Sequence, residues 1–127
     1  MQRQTVLLAV LGLHLAVALG HGATHGLVPV PLPPWQNALV LATVFVGPVV
    51  GAALAVRNHP LGLPVFTASM ACALVLGVSL HFVVEGPDHV HAIPAGQWRL
   101  AFQVSAVGVA VTPLLGTLVG AWALFTR

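Results

Sequence analysis

Residues 37–56 read NALVLATVFVGPVVGAALAV, a run without a single charged side chain. About 20 mainly apolar residues are needed for an α-helix to cross the roughly 30 Å hydrocarbon core of a bilayer. A helix that is apolar on every side is buried in the core of a large protein or in lipid. Because the whole chain has only 127 residues, this stretch predicts a transmembrane helix.

The composition of the whole chain agrees with this prediction. It is 58% hydrophobic and 5% charged, whereas soluble domains have about 25% charged residues. Four arginines and two acidic residues are its only charged side chains at neutral pH, and the net charge of +2 forms no basic patch for nucleic acid. The single cysteine, Cys72, lies in an apolar run, which excludes a disulfide within the chain. These counts exclude a water-soluble domain.

Three further apolar stretches have the same character, and proline and glycine mark each junction between stretches. Every backbone polar group in lipid needs a partner within the protein, which a helix supplies. We therefore predict an all-α membrane protein, a four-transmembrane-helix bundle with residues 1–127 in a single domain. The predicted spans are approximately 5–26, 37–56, 63–84 and 100–125.

The arginines predict how the chain is oriented. In a four-span threading one side holds Arg3, Arg57 and Arg127, and the other holds Arg99, Glu85 and Asp88. Positively charged residues near span ends are retained in the cytoplasm. The expected topology is N-in/C-in, with both termini cytoplasmic, in the plasma membrane. The tryptophans agree, because Trp35 and Trp98 open spans at the outer interface and Trp122 lies at the inner one.

The first span has a second interpretation, as a secretory signal. Arg3 would belong to its charged start, and Ala18-Leu19-Gly20 would be its cleavage site. Cleavage would leave three spans that begin at His21. His14 interrupts the apolar region, and the apolar run continues beyond the cleavage site, so a retained span is the main prediction.

The two halves of the chain share a pattern that predicts a repeat. Both His21–Gly26 and His81–Gly86 read His, three residues, His or Glu, then Gly. Each is followed by a proline-containing loop, a tryptophan and a Pro-x-x-Gly sequence, which begins at Pro48 or Pro113. We expect two repeated helical hairpins, TM1-TM2 and TM3-TM4, related by an axis along the membrane normal.

Small residues and prolines predict how the helices pack. Small residues four apart mark helix contact faces in lipid, and four sets have this spacing: Gly12/Ala16/Gly20, Gly22/Gly26, Gly47/Gly51 and Gly116/Gly120. Pro48 and Pro113 lie within spans, where proline leaves a carbonyl without its helical donor. We expect water or the hydroxyls of Thr43, Thr112 and Thr117 to satisfy those carbonyls.

Seven histidines are the second unusual feature of this chain. At 100° per residue, His14, His21 and His25 form one stripe along the first span, and His81 and Glu85 share a face of the third. Ionisable residues within spans are costly and are therefore functional candidates. The sequence predicts an extracytoplasmic site, with Asp88 in a covering loop, made of these residues: His21, His25, His81, Glu85, His89 and His91.

Two cofactors suit this set of side chains. Imidazole and carboxylate are ordinary ligands of zinc, copper and iron. A b-type haem is the alternative, with His21 and His81 as its axial ligands. The histidines also allow a proton relay without a cofactor, or a purely structural role, which is the expected role of His14 and His59.

Three functions follow from these predictions. The first is a metal- or haem-binding membrane protein in electron transfer or metal handling. The second is a non-catalytic accessory or scaffold subunit of a larger membrane complex. The third is a proton or small-solute conduit. The sequence has no catalytic signature, which argues against an enzyme. The expected partners are the lipid bilayer and a homo-oligomer or larger complex, with no nucleic acid.

Overall fold

A computed structural model describes residues 2–126, and its regular structure is entirely helical. There are four long helices, α1 (Gln2–Leu27), α2 (Pro34–Val56), α3 (Gly62–Val83) and α4 (Arg99–Phe125). Each of them is long and apolar enough to cross a membrane. The all-helical prediction and the prediction of four helices of spanning length are confirmed, and every helix end lies within three residues of its predicted boundary.

The surface of these helices is largely apolar. Large apolar side chains such as Leu19, Val104 and Leu118 are exposed along their lengths. Contiguous exposed apolar surface of this extent is unusual for a soluble monomer. Lipid contact accounts for it, since the hydrocarbon core leaves polar side chains no role on the outer faces.

The core holds the helices together unevenly. Helix α4 packs against α1 and α3, α3 also packs against α2, and α1 and α2 contact each other only lightly. Phe66 and Met70 of α3 are fully buried against Leu7 and Leu11 of α1 and Ala52 of α2. This core fills the half of the molecule nearest both chain termini, which we call the terminal end.

The glycines confirm two predicted contact faces and contradict two. A Cβ at Gly51 would meet the backbone of Phe66, and one at Gly116 would meet Met70. The Gly47/Gly51 and Gly116/Gly120 faces therefore carry close helix contacts. The two predicted faces on α1 are wrong, because a Cβ would meet nothing at Gly12, Gly20, Gly22 or Gly26. All four glycines are exposed.

The opposite half of the molecule, which we call the loop end, is closed by two loops. Val28 and Val30 of the first loop and Val90 and Ile93 of the longer one form a cluster with Phe102 and Ala106 of α4. All six are buried. Their burial fixes both loops over the ends of α1 and α3, where the functional candidates lie.

Two helices contain wider, π-helical turns. One covers Leu41–Val46 in α2, and the other covers Ser79–Val83 at the end of α3. The N–H of Val84 donates to the carbonyl of Ser79 over 2.7 Å, which is the five-residue spacing of a π turn. These turns lie at different positions in the two hairpins, and the hairpin repeat stays a prediction.

Candidate functional site

Three histidines from two helices meet at the loop end. His21 and His25 lie one turn apart on α1, and His81 lies on α3. The Nε2 atom of His21 is 3.1 Å from Nε2 of His81 and 3.2 Å from Nε2 of His25. One nitrogen from each ring lies within 4.8 Å of the other two. The structure therefore brings together three of the six predicted metal ligands.

The π turn of α3 contains the histidine that this helix contributes. His81 lies in the middle of Ser79–Val83, and its side chain is buried. An inserted residue in a helical turn changes the direction in which side chains of that turn point, and such turns are frequent at functional sites. Local backbone geometry, together with the i, i+4 spacing in α1, thus positions the three rings.

Backbone carbonyls determine which nitrogen carries the proton in two of the rings. Nδ1 of His25 is 3.1 Å from the carbonyl of Val30, and Nδ1 of His81 is 3.0 Å from the carbonyl of Asp88. A carbonyl can only accept, so each Nδ1 is the donor. In the neutral rings each Nε2 is then an unprotonated lone pair, and both lone pairs face Nε2 of His21.

The third ring has a partner that can donate or accept. Nδ1 of His21 is 2.8 Å from Oγ of Ser105, and this hydroxyl is also 3.0 Å from the carbonyl of Phe102. When Ser105 donates to that carbonyl, His21 donates from Nδ1 and its Nε2 is a third bare lone pair. When Ser105 donates to Nδ1, the proton of His21 lies on Nε2 and bridges to one neighbouring ring.

A carboxylate flanks the three rings. Oδ1 of Asp88 lies 3.5 Å from Nε2 of His25 and 3.5 Å from Nδ1 of His81. This oxygen is buried and has no hydrogen-bond partner among the described residues. Burial raises the pKa of the Asp88 carboxyl, whereas His81 and His25 act in the opposite direction. With neutral rings and an ionised carboxylate, the site contains more acceptors than protons to satisfy them.

An aromatic ring from α4 closes one side of this cluster. Phe102 is fully buried, and its ring centroid is 4.9 Å from that of His21 and 5.0 Å from that of His25. The His81 ring lies 5.8 Å away. An apolar wall lowers the local dielectric, which strengthens any interaction between the cluster and a cation.

A cavity of about 210 Å³ extends from the cluster between α1, α2 and α3. His21, His25 and His81 line one part of it, and His14 lines another. Apolar side chains such as Leu76 form most of the remaining wall. The cluster thus has open volume on one side, in which a small molecule could approach a bound ion.

His14 has a different environment from the cluster. Its Nε2 is 3.0 Å from the carbonyl of Val44, to which Pro48 cannot donate because proline has no N–H. Its Nδ1 is 3.1 Å from Oγ1 of Thr112. We expected a hydroxyl or water to donate to the carbonyl that Pro48 leaves free. The Thr43 hydroxyl donates to the carbonyl of Leu39 instead, and the donor to the Val44 carbonyl is His14. His14 joins α1 to α2 and α4.

The other predicted ligands lie outside the cluster. Glu85 is exposed beyond the end of α3. His89 and His91 stack on each other in the loop, with ring centroids 5.3 Å apart, and the backbone N–H of His91 donates to Nδ1 of His89. The carboxylate beside the three rings is Asp88, which we expected only in the covering loop. Sequence reasoning also missed Ser105 and Phe102, for which no local motif gives a signal.

Comparisons with known proteins add nothing to these observations. The chain matches no protein-family model, no curated protein and no solved structure. Any functional conclusion therefore depends on the geometry of the site.

Proposed function

We propose that this chain is an integral membrane protein whose three clustered histidines bind one transition-metal ion. The observation that carries the proposal is the convergence of Nε2 atoms on His21. A single proton on His21 Nε2 can be directed at only one of its two neighbours, and the lone pair of the other neighbour is then left without a donor. One cation can accept all three lone pairs at once.

The distances support an ion of ordinary size. Bonds of about 2.0 Å to imidazole nitrogen in a tetrahedral site imply nitrogens about 3.3 Å apart. The two short Nε2 separations, 3.1 and 3.2 Å, are close to this value. The carbonyl and hydroxyl partners of the three Nδ1 atoms match the second-shell hydrogen bonds that orient metal-binding histidines.

The carboxylate of Asp88 would compensate part of the charge of a bound ion. Three neutral imidazoles leave the charge of a divalent ion uncompensated, and a buried charge of this kind is costly in an apolar region. The carboxylate of Asp88 is the nearest negative group, 3.5 Å from His25 Nε2. An ion would also give the unpartnered Oδ1 the positive charge that it lacks.

The ligand set restricts the metal. Imidazole binds zinc, copper and iron well, whereas magnesium and calcium prefer oxygen. A haem is less compatible, because His21 Nε2 and His81 Nε2 lie 3.1 Å apart and leave no open plane for a porphyrin between them. The adjoining cavity gives a bound ion an open side, which is typical of exchangeable or catalytic sites rather than closed structural ones. These features favour metal handling or electron transfer.

The membrane topology that we propose is the four-span N-in/C-in bundle. Arg3 and Arg57 lie at the terminal end, and Arg99 lies at the loop end with both acidic residues. The excess of arginine then assigns the terminal end to the cytoplasm and the metal site to the opposite face. A conduit is less well supported, because side chains fill the space between the helices on the terminal side of His14. These side chains are Leu7, Leu11, Phe66 and Met70.

Metal content tests the proposal. The protein should be purified in detergent with an affinity tag that contains no histidine, and elemental analysis should follow incubation with zinc, copper or iron and gel filtration. We expect one ion per chain and its loss in His81→Ala. His59→Ala is the matched control, because His59 is exposed at the terminal end. Equal metal content in both variants would refute the proposed site.

A further inference from the structure

A second cavity lies at the terminal end, far from the histidine cluster. Its volume is about 760 Å³, and it is bordered by the start of α1, the end of α2, the start of α3 and the end of α4. Its polar lining includes Arg3, Gln4, Asn58 and His59. Small-molecule sites usually measure roughly 300–1,000 Å³, so the volume suits a ligand larger than water.

Arg3 contributes a positive charge that no side-chain carboxylate compensates. The only acidic residues in the sequence, Glu85 and Asp88, both lie at the loop end. The guanidinium carbon of Arg3 is 6.0 Å from the ring centroid of Trp122, which also lines the cavity. This contact orients the guanidinium, whose planar fork of donors suits a phosphate.

His59 adds a directed donor to the same cavity. The backbone N–H of Leu61 donates to Nδ1 of His59 over 3.3 Å, so Nδ1 is an acceptor. A neutral ring then carries its proton on Nε2, where it is free to donate. The side-chain amides of Gln4 and Asn58 add further N–H groups, one of which, on Gln4, already donates to the carbonyl of Val56. Among the described residues, the lining thus combines one cation with several neutral donors and no carboxylate, which is the chemistry that binds an anion.

We propose that this cavity binds the phosphate headgroup of an anionic phospholipid. The polar lining meets apolar residues, among them Leu7 and Leu63, and the exposed ring of Trp122 lies at the rim. Such a combination accommodates a phosphate beside the start of an acyl chain, and tryptophan favours the membrane interface. In the proposed topology the cavity faces the cytoplasmic leaflet, in which anionic lipids attract basic groups.

Lipid retention and stability in nanodiscs test this inference. The full chain would be reconstituted in phosphatidylcholine with or without phosphatidylglycerol, and native mass spectrometry would count retained lipids. Thermal unfolding would be followed in parallel. Arg3→Gln should weaken phosphatidylglycerol binding about tenfold, as expected for one hydrogen-bonded charge. Arg57→Gln is the matched control, because Arg57 lies at the same end but outside the cavity lining. Arg3→Lys, which keeps the charge, should have an intermediate effect and shows whether the position tolerates substitution.

Two results would overturn the inference. One is equal loss of phosphatidylglycerol from Arg3→Gln and Arg57→Gln, which would indicate general electrostatic attraction. The other is equal stabilisation of the wild-type protein by phosphatidylcholine and phosphatidylglycerol, or by inorganic phosphate and phosphatidylglycerol. A selective effect of phosphatidylglycerol that depends on Arg3 supports the inference.

Discussion

His14 and His21 lie on one face of α1, two turns apart, and both are buried, yet their surroundings differ. His14 donates from Nε2 to the Val44 carbonyl, and its Nδ1 is satisfied when the Thr112 hydroxyl donates to it rather than to the carbonyl of Gly108. His21 Nε2 instead faces two nitrogens that both act as acceptors. Both rings are buried, so burial does not distinguish a structural histidine from a candidate metal ligand. The hydrogen-bond partners of the ring nitrogens do.

His14 and His21 also differ in the balance of hydrogen-bond donors and acceptors around each ring. At His14 the Thr112 hydroxyl can donate either to Nδ1 or to the Gly108 carbonyl, and in the first case an added cation finds no free lone pair. At His21 acceptors exceed protons, and the nearby Asp88 oxygen adds one more acceptor without a partner. Buried polar groups without partners are costly, typically about 1–3 kcal/mol each. A cation removes several of these costs together, and this is the physical reason to expect metal at one histidine and not at the other.

Removal of each ring in turn should give the largest difference between the two histidines. We expect His21→Ala to weaken metal binding by more than about a hundredfold, because the loss of a ligand exceeds the 10–100-fold effect of losing a second-shell partner. His14→Ala should bind metal with nearly wild-type affinity. Competition titrations with a chromophoric chelator would measure both affinities.

The two substitutions should have the opposite order of effects when stability is measured without metal. His14→Ala leaves the Val44 carbonyl without a donor, which should cost roughly 1–3 kcal/mol in addition to lost packing. His21→Ala removes an excess acceptor and should cost less. If His14→Ala instead abolished metal binding while the protein remained folded, the division of roles between the two histidines would be wrong.

The sequence was sufficient to predict the four helices, because apolar length alone determines which segments can cross a bilayer. It was also sufficient to pair His21 with His25 and to place His81 at the same depth. The i, i+4 spacing puts two rings on one face of α1, and the like ends of α1 and α3 lie at the same depth. These arguments require only helix geometry and an even number of spans between the residues.

The remaining parts of the site depend on contacts that helix geometry does not determine. Glu85 fits the i, i+4 pattern after His81, but the π turn ends α3 at Val83, so Glu85 lies in the following loop and is exposed. The carboxylate near the rings comes from Asp88, which the folded loop brings back. Ser105 lies on α4, and its approach to His21 depends on how α1 and α4 pack.

Substitution of Asp88 should have a smaller effect on metal affinity than removal of His21, and it tests whether the buried carboxylate contributes to the site. Asp88→Asn keeps the backbone carbonyl that orients His81 but removes the negative charge beside the cluster. We expect metal affinity to fall about 10–100-fold, the usual range for an outer-shell partner. Glu85→Gln is the matched control, since it removes an exposed carboxylate three residues earlier. Equal effects of the two substitutions would mean that Asp88 acts only through long-range charge.

The smallest expected effect concerns Pro48, which creates the need for His14. Replacing this proline with alanine restores a backbone N–H that can donate to the Val44 carbonyl, so His14 should become less important. The test is a double-mutant cycle of His14→Ala and Pro48→Ala, measured by thermal or denaturant unfolding in detergent. We expect His14→Ala to cost about 1 kcal/mol less in the Pro48→Ala protein than in the wild type. Additive effects would show that His14 stabilises α1 through packing alone. The hydrogen bond from His14 to the Val44 carbonyl would then not explain why His14 differs from His21.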